Sequence, residues 1–111
     1  MKRYTQVIAS VGLLAAVAFA GSIAPTRITI KKGQTSAVVN GTVNGFSGKS
    51  YVFKYTSGHL VPIELTSRNN CVKLGGGETS TNLATQSGDN YFDVRNDCGM
   101  SLPFKITMRF P

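Results

Sequence analysis

The chain has 111 residues, 41% hydrophobic and only 15% charged, with 12 glycines and no tryptophan. That is one small domain's worth, and its sparse charge excludes a coiled coil and a charge-rich disordered chain. Twelve Lys and Arg against five Asp and Glu leave a net charge of +7, and the size argues against a multi-domain enzyme.

Residues 1–20 read as an export signal. Lys2 and Arg3 make a short basic start, Val7 to Ala20 is apolar apart from Ser10 and Gly12, and Ala18-Phe19-Ala20 is an A-x-A cleavage site. The apolar run is shorter than the ~20 residues of a membrane span, and no cysteine lies beside the cleavage site. Neither a transmembrane nor a lipid anchor is therefore expected. The expected product is a single domain, residues 21–111, in the periplasm or secreted. Without Lys2 and Arg3 it carries ten basic and five acidic side chains, a net charge of +5. Such a surface favours anionic partners, envelope polymers among them.

Along this product, period-two patterns replace helical ones. Arg27 to Lys31 alternates. Residues 37–43 predict a short strand with a kink at Asn40-Gly41. Residues 50–56 place Tyr51, Phe53 and Tyr55 on one face. Residues 59–67 place Val61, Ile63 and Leu65 inward, and Pro62 within them predicts an edge strand or a bulge. Cys71 to Leu74 is a short strand. Residues 75–88 form the longest polar stretch, a candidate flexible loop. Asn90 to Asn96 sets Phe92 and Val94 against Tyr91, Asp93 and Arg95. Pro103 to Phe110 is the clearest strand, with Phe104, Ile106, Met108 and Phe110 inward. Gly-containing turn dipeptides separate these segments. The prediction is an all-β chain, a small antiparallel β-sandwich of six to eight short strands. An outer-membrane barrel would need more residues than the domain has.

Export places Cys71 and Cys98 in an oxidising compartment, so they are expected to form one disulfide. By chain entropy it would contribute about 3.5 kcal/mol. A metal site is not expected, because His59 is the sole histidine and too few ligands remain. Nor is a cofactor: Gly45 to Ser50 ends like a phosphate-binding loop, but the first glycine is replaced by Val43, and the segment reads as a hairpin turn. No G-x-S-x-G elbow is present. The carboxylates Glu64, Glu78, Asp89, Asp93 and Asp97 would need a cleft to act as a glycosidase pair, which a sandwich of this size rarely encloses. Tyr51, Phe53 and Tyr55 alternate as core residues do, which argues against a nucleic-acid surface. The expectation is a non-catalytic binding protein.

Two segments carry a family resemblance. One is Tyr51 to His59, a strand ending in a Ser57-Gly58 turn. The other is Ser87-Gly88-Asp89-Asn90-Tyr91-Phe92-Asp93-Val94-Arg95-Asn96, followed by a closing strand at Lys105-Ile106-Thr107. Over residues 27 to 110 this layout resembles the small periplasmic lysozyme inhibitors, especially those of g-type and i-type lysozymes. It also resembles the bacterial pre-peptidase C-terminal β-sandwich. The first resemblance implies a Ser-Gly-x-x-Tyr loop that inserts into the lysozyme cleft, here Ser87, Gly88 and Tyr91. Gly88 would permit a tight turn, Ser87 would present a hydroxyl to a catalytic carboxyl group, and Tyr91 would be the apolar anchor. Asp89 and Asn90 would sit at the tip. Arg95, on the same side of the strand as Tyr91, would pair with acidic groups of the cleft. The implied partner is lysozyme, of g-type or i-type rather than c-type. The second resemblance implies instead an envelope or carbohydrate-binding module that holds peptidoglycan or polysaccharide.

Overall fold

Eight strands follow one another in the computed structural model, which describes residues 24–111. The expected export signal, residues 1–20, and residues 21–23 of the expected domain lie outside the described residues. The strands are β1 (Thr26–Ile28), β2 (Ser36–Val43), β3 (Ser47–Tyr55), β4 (Leu60–Thr66), β5 (Val72–Leu74), β6 (Ser80–Ala84), β7 (Gly88–Asn96) and β8 (Leu102–Arg109), with no helix among the described residues. Odd strands form one four-stranded sheet, in the order β1-β3-β7-β5; even strands form the other, β2-β8-β4-β6. Every connection therefore crosses from one sheet to the other. Gly45 and Phe46 belong to such a crossover, from β2 to β3, and Ser47 to Ser50 open β3 itself, so the Gly45 to Ser50 stretch is not the hairpin that its turn residues predict.

The all-β sandwich is the one predicted, with one parallel pair added. β1 pairs with β3 in parallel, whereas the other five pairs are antiparallel. The cause is the crossover rule: β2 runs back through the second sheet, so β3 re-enters the first in the direction of β1. Between the sheets lies the core, built from the alternating inward residues of each strand. Tyr51 and Phe53 of β3, Val94 of β7 and Val72 and Leu74 of β5 meet Val61, Ile63 and Leu65 of β4 and the Phe104, Ile106, Met108 row of β8. Tyr51 stacks on Phe92 at 5.5 Å between centroids, and Phe53 meets Phe110 at 6.2 Å. Cys71 and Cys98 form the expected disulfide, with Cα atoms 5.5 Å apart.

Three local readings are corrected. β2 has no kink: its register with β8 runs unbroken through Asn40↔Lys105 and Gly41↔Phe104. Gly41 is needed for space instead, because a Cβ there would sit 2.7 Å from Phe104 Cζ and 3.0 Å from the Tyr51 hydroxyl. β4 is an interior strand despite Pro62, pairing with both β6 and β8. The Leu65 N–H donates to Thr79 O on the β6 side, so even positions of β4 aim at β8. Pro62 lies one step beyond the first β8 pair, Ile63↔Met108, where no donor is required. Finally, the polar stretch 75–88 contains β6, an edge strand. Leu83 is its one large apolar residue against the core, too little for period two to stand out.

Candidate functional site

Three turns converge at one end of the sandwich. They are Lys31 to Gln34 before β2, Ser57-Gly58-His59 between β3 and β4, and Thr85-Gln86-Ser87 between β6 and β7. An open groove of about 680 Å³ lies among them. Tyr55, Phe110 and Pro111 line it with apolar surface, and Lys31, Lys32, Lys54 and His59 line its rim. No carboxylate side chain lines it. His59 packs edge-on against Tyr55 at 5.4 Å, and the Tyr55 hydroxyl donates to Pro111 O.

The Ser87 turn is held from two sides. Thr85, which is buried, ties it to the neighbouring turn: its hydroxyl donates to Thr56 O at 2.7 Å and accepts from the His59 N–H at 3.1 Å. The backbone adds Thr85 N–H to His59 O and Gly58 N–H to Thr85 O. Asn90 holds the other side. Its amide oxygen accepts from the Gln86 N–H at 2.9 Å, and its amide nitrogen donates to the carbonyls of Gln86 and Gly88, each at 3.1 Å. The chain thus wraps around one buried amide, and Gly88 closes the wrap with φ +95°, a backbone conformation that favours glycine. Ser87 is exposed on the outside of this wrap. Neither Thr85 nor the anchoring by Asn90 follows from the Ser-Gly-x-x-Tyr reading; the available signal was a short polar side chain on either side of a Gly turn.

The sequence-predicted site residues do not form one loop. Ser87 and Gly88 border the groove. Asp89 and Asn90 are not at a tip: both belong to β7, paired with Lys54 and Phe53. Asp89 makes a two-pronged ion pair with Arg27, at 2.9 and 3.0 Å, across the outer face of the first sheet. Hydrogen bonding from the Arg27 guanidinium holds the Asp89 carboxyl below its ordinary value. Tyr91 points outward from that same face, 55% exposed, opposite Val52. Arg95 shares the face but lies four residues along, roughly 13 Å in an extended strand. There it donates to Gly75 O and pairs with Asp97 at 3.3 Å.

The motif also occurs a second time, at Ser47-Gly48-Lys49-Ser50-Tyr51. There the tyrosine is 2% exposed, in the core beside Phe92 and Phe104. The spacing is identical in the two copies; only burial separates an available tyrosine, Tyr91, from a structural one. Among the described residues, no three His, Cys, Asp or Glu side chains cluster as metal ligands would.

No protein-family model matches the chain, and no curated protein matches it by sequence. Solved structures do. The fold is similar to that of Aeromonas hydrophila PliG, a periplasmic lysozyme inhibitor of g-type lysozyme, with a TM-score of 0.60 at 17% identity over 76% of this chain and 95% of that one. It is similar to Salmonella Typhimurium PliG, TM-score 0.52 at 14% identity, and to a mutant of Escherichia coli PliG, TM-score 0.51 at 14% identity. In both cases the match covers 78% of this chain and 98% of the other. What the chain shares with these inhibitors is therefore the fold, over nearly their full length.

Proposed function

We propose that this protein is an exported, non-catalytic inhibitor of lysozyme, of the g-type class, acting in the periplasm once residues 1–20 are removed. The observation that carries the reading is the fold likeness to PliG inhibitors over nearly their full length. The turn geometry supports it. A loop that enters an enzyme cleft binds best when it is already ordered, because little freedom remains to be lost, and Thr85 and Asn90 order this one. Lysozymes cleave glycosidic bonds, and glycoside hydrolysis runs on carboxylates facing the substrate. The groove end presents Ser87 with Lys31, Lys32 and Lys54 and no opposing carboxylate side chain, which suits an acidic cleft wall. Ser87 and Gly88 enter the cleft, the Ser87 hydroxyl donates to a catalytic carboxylate, and Tyr91 lies along the outer wall as the aromatic anchor. No bond is made or broken; sugar subsites are occupied. Asp89, Asn90 and Arg95 support the loop and its strand, and the Arg27–Asp89 pair steadies the face on which Tyr91 stands.

The test is lysis of a cell-wall suspension by g-, i- and c-type lysozymes with and without the exported protein. Dose-dependent protection against the g-type enzyme is expected. Tyr91→Ala should weaken inhibition by about 2 kcal/mol, some 30-fold. Folded protein in large excess that protects against none of the three classes overturns the reading.

A second reading, an envelope or carbohydrate-binding module, is favoured by one feature, the cationic rim around the aromatic surface of Tyr55 and Phe110. It predicts co-sedimentation with insoluble peptidoglycan in the absence of lysozyme.

A further inference from the structure

Among the four sheet edges of the described residues, β2 is the long one. β1 and β5 have three residues each and β6 has five. β2 has eight, Ser-Ala-Val-Val-Asn-Gly-Thr-Val, with no proline, no charge and no break in register. Proteins commonly guard such an edge with lysines, prolines or bulges, because its open N–H and C=O groups accept another strand. The ladder identifies the open groups. Thr35 O accepts from the Phe110 N–H, so odd positions of β2 exchange hydrogen bonds with β8 and even positions face outward. The Ser36 carbonyl already accepts from Gln34 Nε2, and that of Thr42 from Lys49 Nζ. Val38 and Asn40, between them, present both N–H and C=O to the open side, and the Val38 side chain is 57% exposed.

We propose that β2 pairs antiparallel with β2 of a second copy, about a two-fold axis through Val39. Val38 then lies opposite Asn40 of the partner subunit, and each such pair exchanges both its backbone hydrogen bonds. The residues that lack partners are one another's partners under the two-fold, which favours a second copy over a foreign strand. Because the strand is neutral, no like charges within it oppose each other. Val39, half-buried at the margin of the core, meets its own copy at the axis, at the ~4.5 Å Cα spacing of a non-hydrogen-bonded pair. Two four-stranded sheets become one continuous sheet with no long open edge. The Ser36 end of β2 adjoins the groove, beside Gln34 and Thr35. Antiparallel pairing therefore sends the two Ser87 turns to opposite ends of the dimer, where each remains free.

Sedimentation velocity of the exported protein over a wide concentration range tests this. A monomer–dimer equilibrium is expected. Val38→Pro, which removes an outward N–H, and Asn40→Lys should each raise the dissociation constant by about tenfold or more. Both positions are exposed, and thermal melting confirms that the variants fold. Oxidised Val39→Cys should give a disulfide-linked dimer, since only this register brings the two copies of residue 39 together. A monomer at every concentration overturns the proposal, as does a dimer that neither substitution weakens. Dimerisation without lysozyme inhibition would retain this inference and sink the inhibitor reading, so the two fail separately.

Discussion

Asn90 and Tyr91 are adjacent on β7 and face opposite ways. Asn90 is 4% exposed and satisfies three backbone groups of the turn. Tyr91 stands on the outer face. Truncating Asn90 leaves the Gln86 N–H, Gln86 O and Gly88 O to find water, so Asn90→Ala should lower unfolding stability by about 2 kcal/mol in a denaturant titration. It should also weaken inhibition by loosening the Ser87 turn. Tyr91→Ala should leave stability within about 0.5 kcal/mol, as surface substitutions usually do. The contrast separates a residue that builds the loop from one that binds with it. Period two in the sequence told which side each residue of Asn90–Asn96 faces. It did not tell that Asp89 also belongs to the strand, because that depends on pairing with Lys54, 35 residues away by register.

At the scale of elements, β5 shows how a short strand is kept in place. Three residues make few ladder bonds, yet β5 closes one side of the first sheet. Cys71 immediately precedes it and Cys98 follows its partner β7, so the disulfide clamps the pair at one end. Asp97 N–H to Cys71 O and Cys98 N–H to the Asn96 side-chain oxygen reinforce the clamp. Replacing both cysteines by Ser should lower stability by about 3.5 kcal/mol, the chain entropy released by opening a loop of 27 residues' separation. Amide exchange should quicken first at Val72 to Leu74. The elements that the sequence misjudged share a cause. Pro62, Gly41 and the polar run around Leu83 each carry a local signal whose meaning is set by a neighbouring strand. A proline ends pairing only on the side where its N–H would have pointed, and a glycine can serve a bend or a tight contact.

The whole molecule should show its stability most plainly against pH. Burial raises the Tyr51 hydroxyl above its ordinary value, so the folded state holds that proton more firmly than the unfolded chain. The resulting stability is complete below the unfolded value, about 10, and declines as pH rises past it. Tyr51→Phe keeps the ring against Phe92 and Phe104 and should flatten the alkaline limb of the melting-temperature profile. Asp89 works in the opposite direction. Its lowered value contributes stability above the unfolded carboxylate range, about 4, that is lost as pH falls toward the folded value. The pair is exposed to water, so this acid limb should be shallow.

Some properties of this protein are written in single segments. Local patterning located seven of the eight strands, all but β6, and alternation sorted the two faces of β3, β4, β7 and β8, because a strand's two sides are set by its own backbone pleat. Two cysteines and a basic-apolar leader were sufficient to expect one disulfide. Tertiary structure decided what depends on distant segments meeting. It assigned odd and even strands to opposite sheets, turned apparent hairpins into crossovers and made the parallel β1–β3 pair. It also buried the tyrosine of one Ser-Gly-x-x-Tyr copy while exposing that of the other. Identical spacing cannot report that difference. Exposure is a property of the surface formed when both sheets close, and no single stretch of chain contains it.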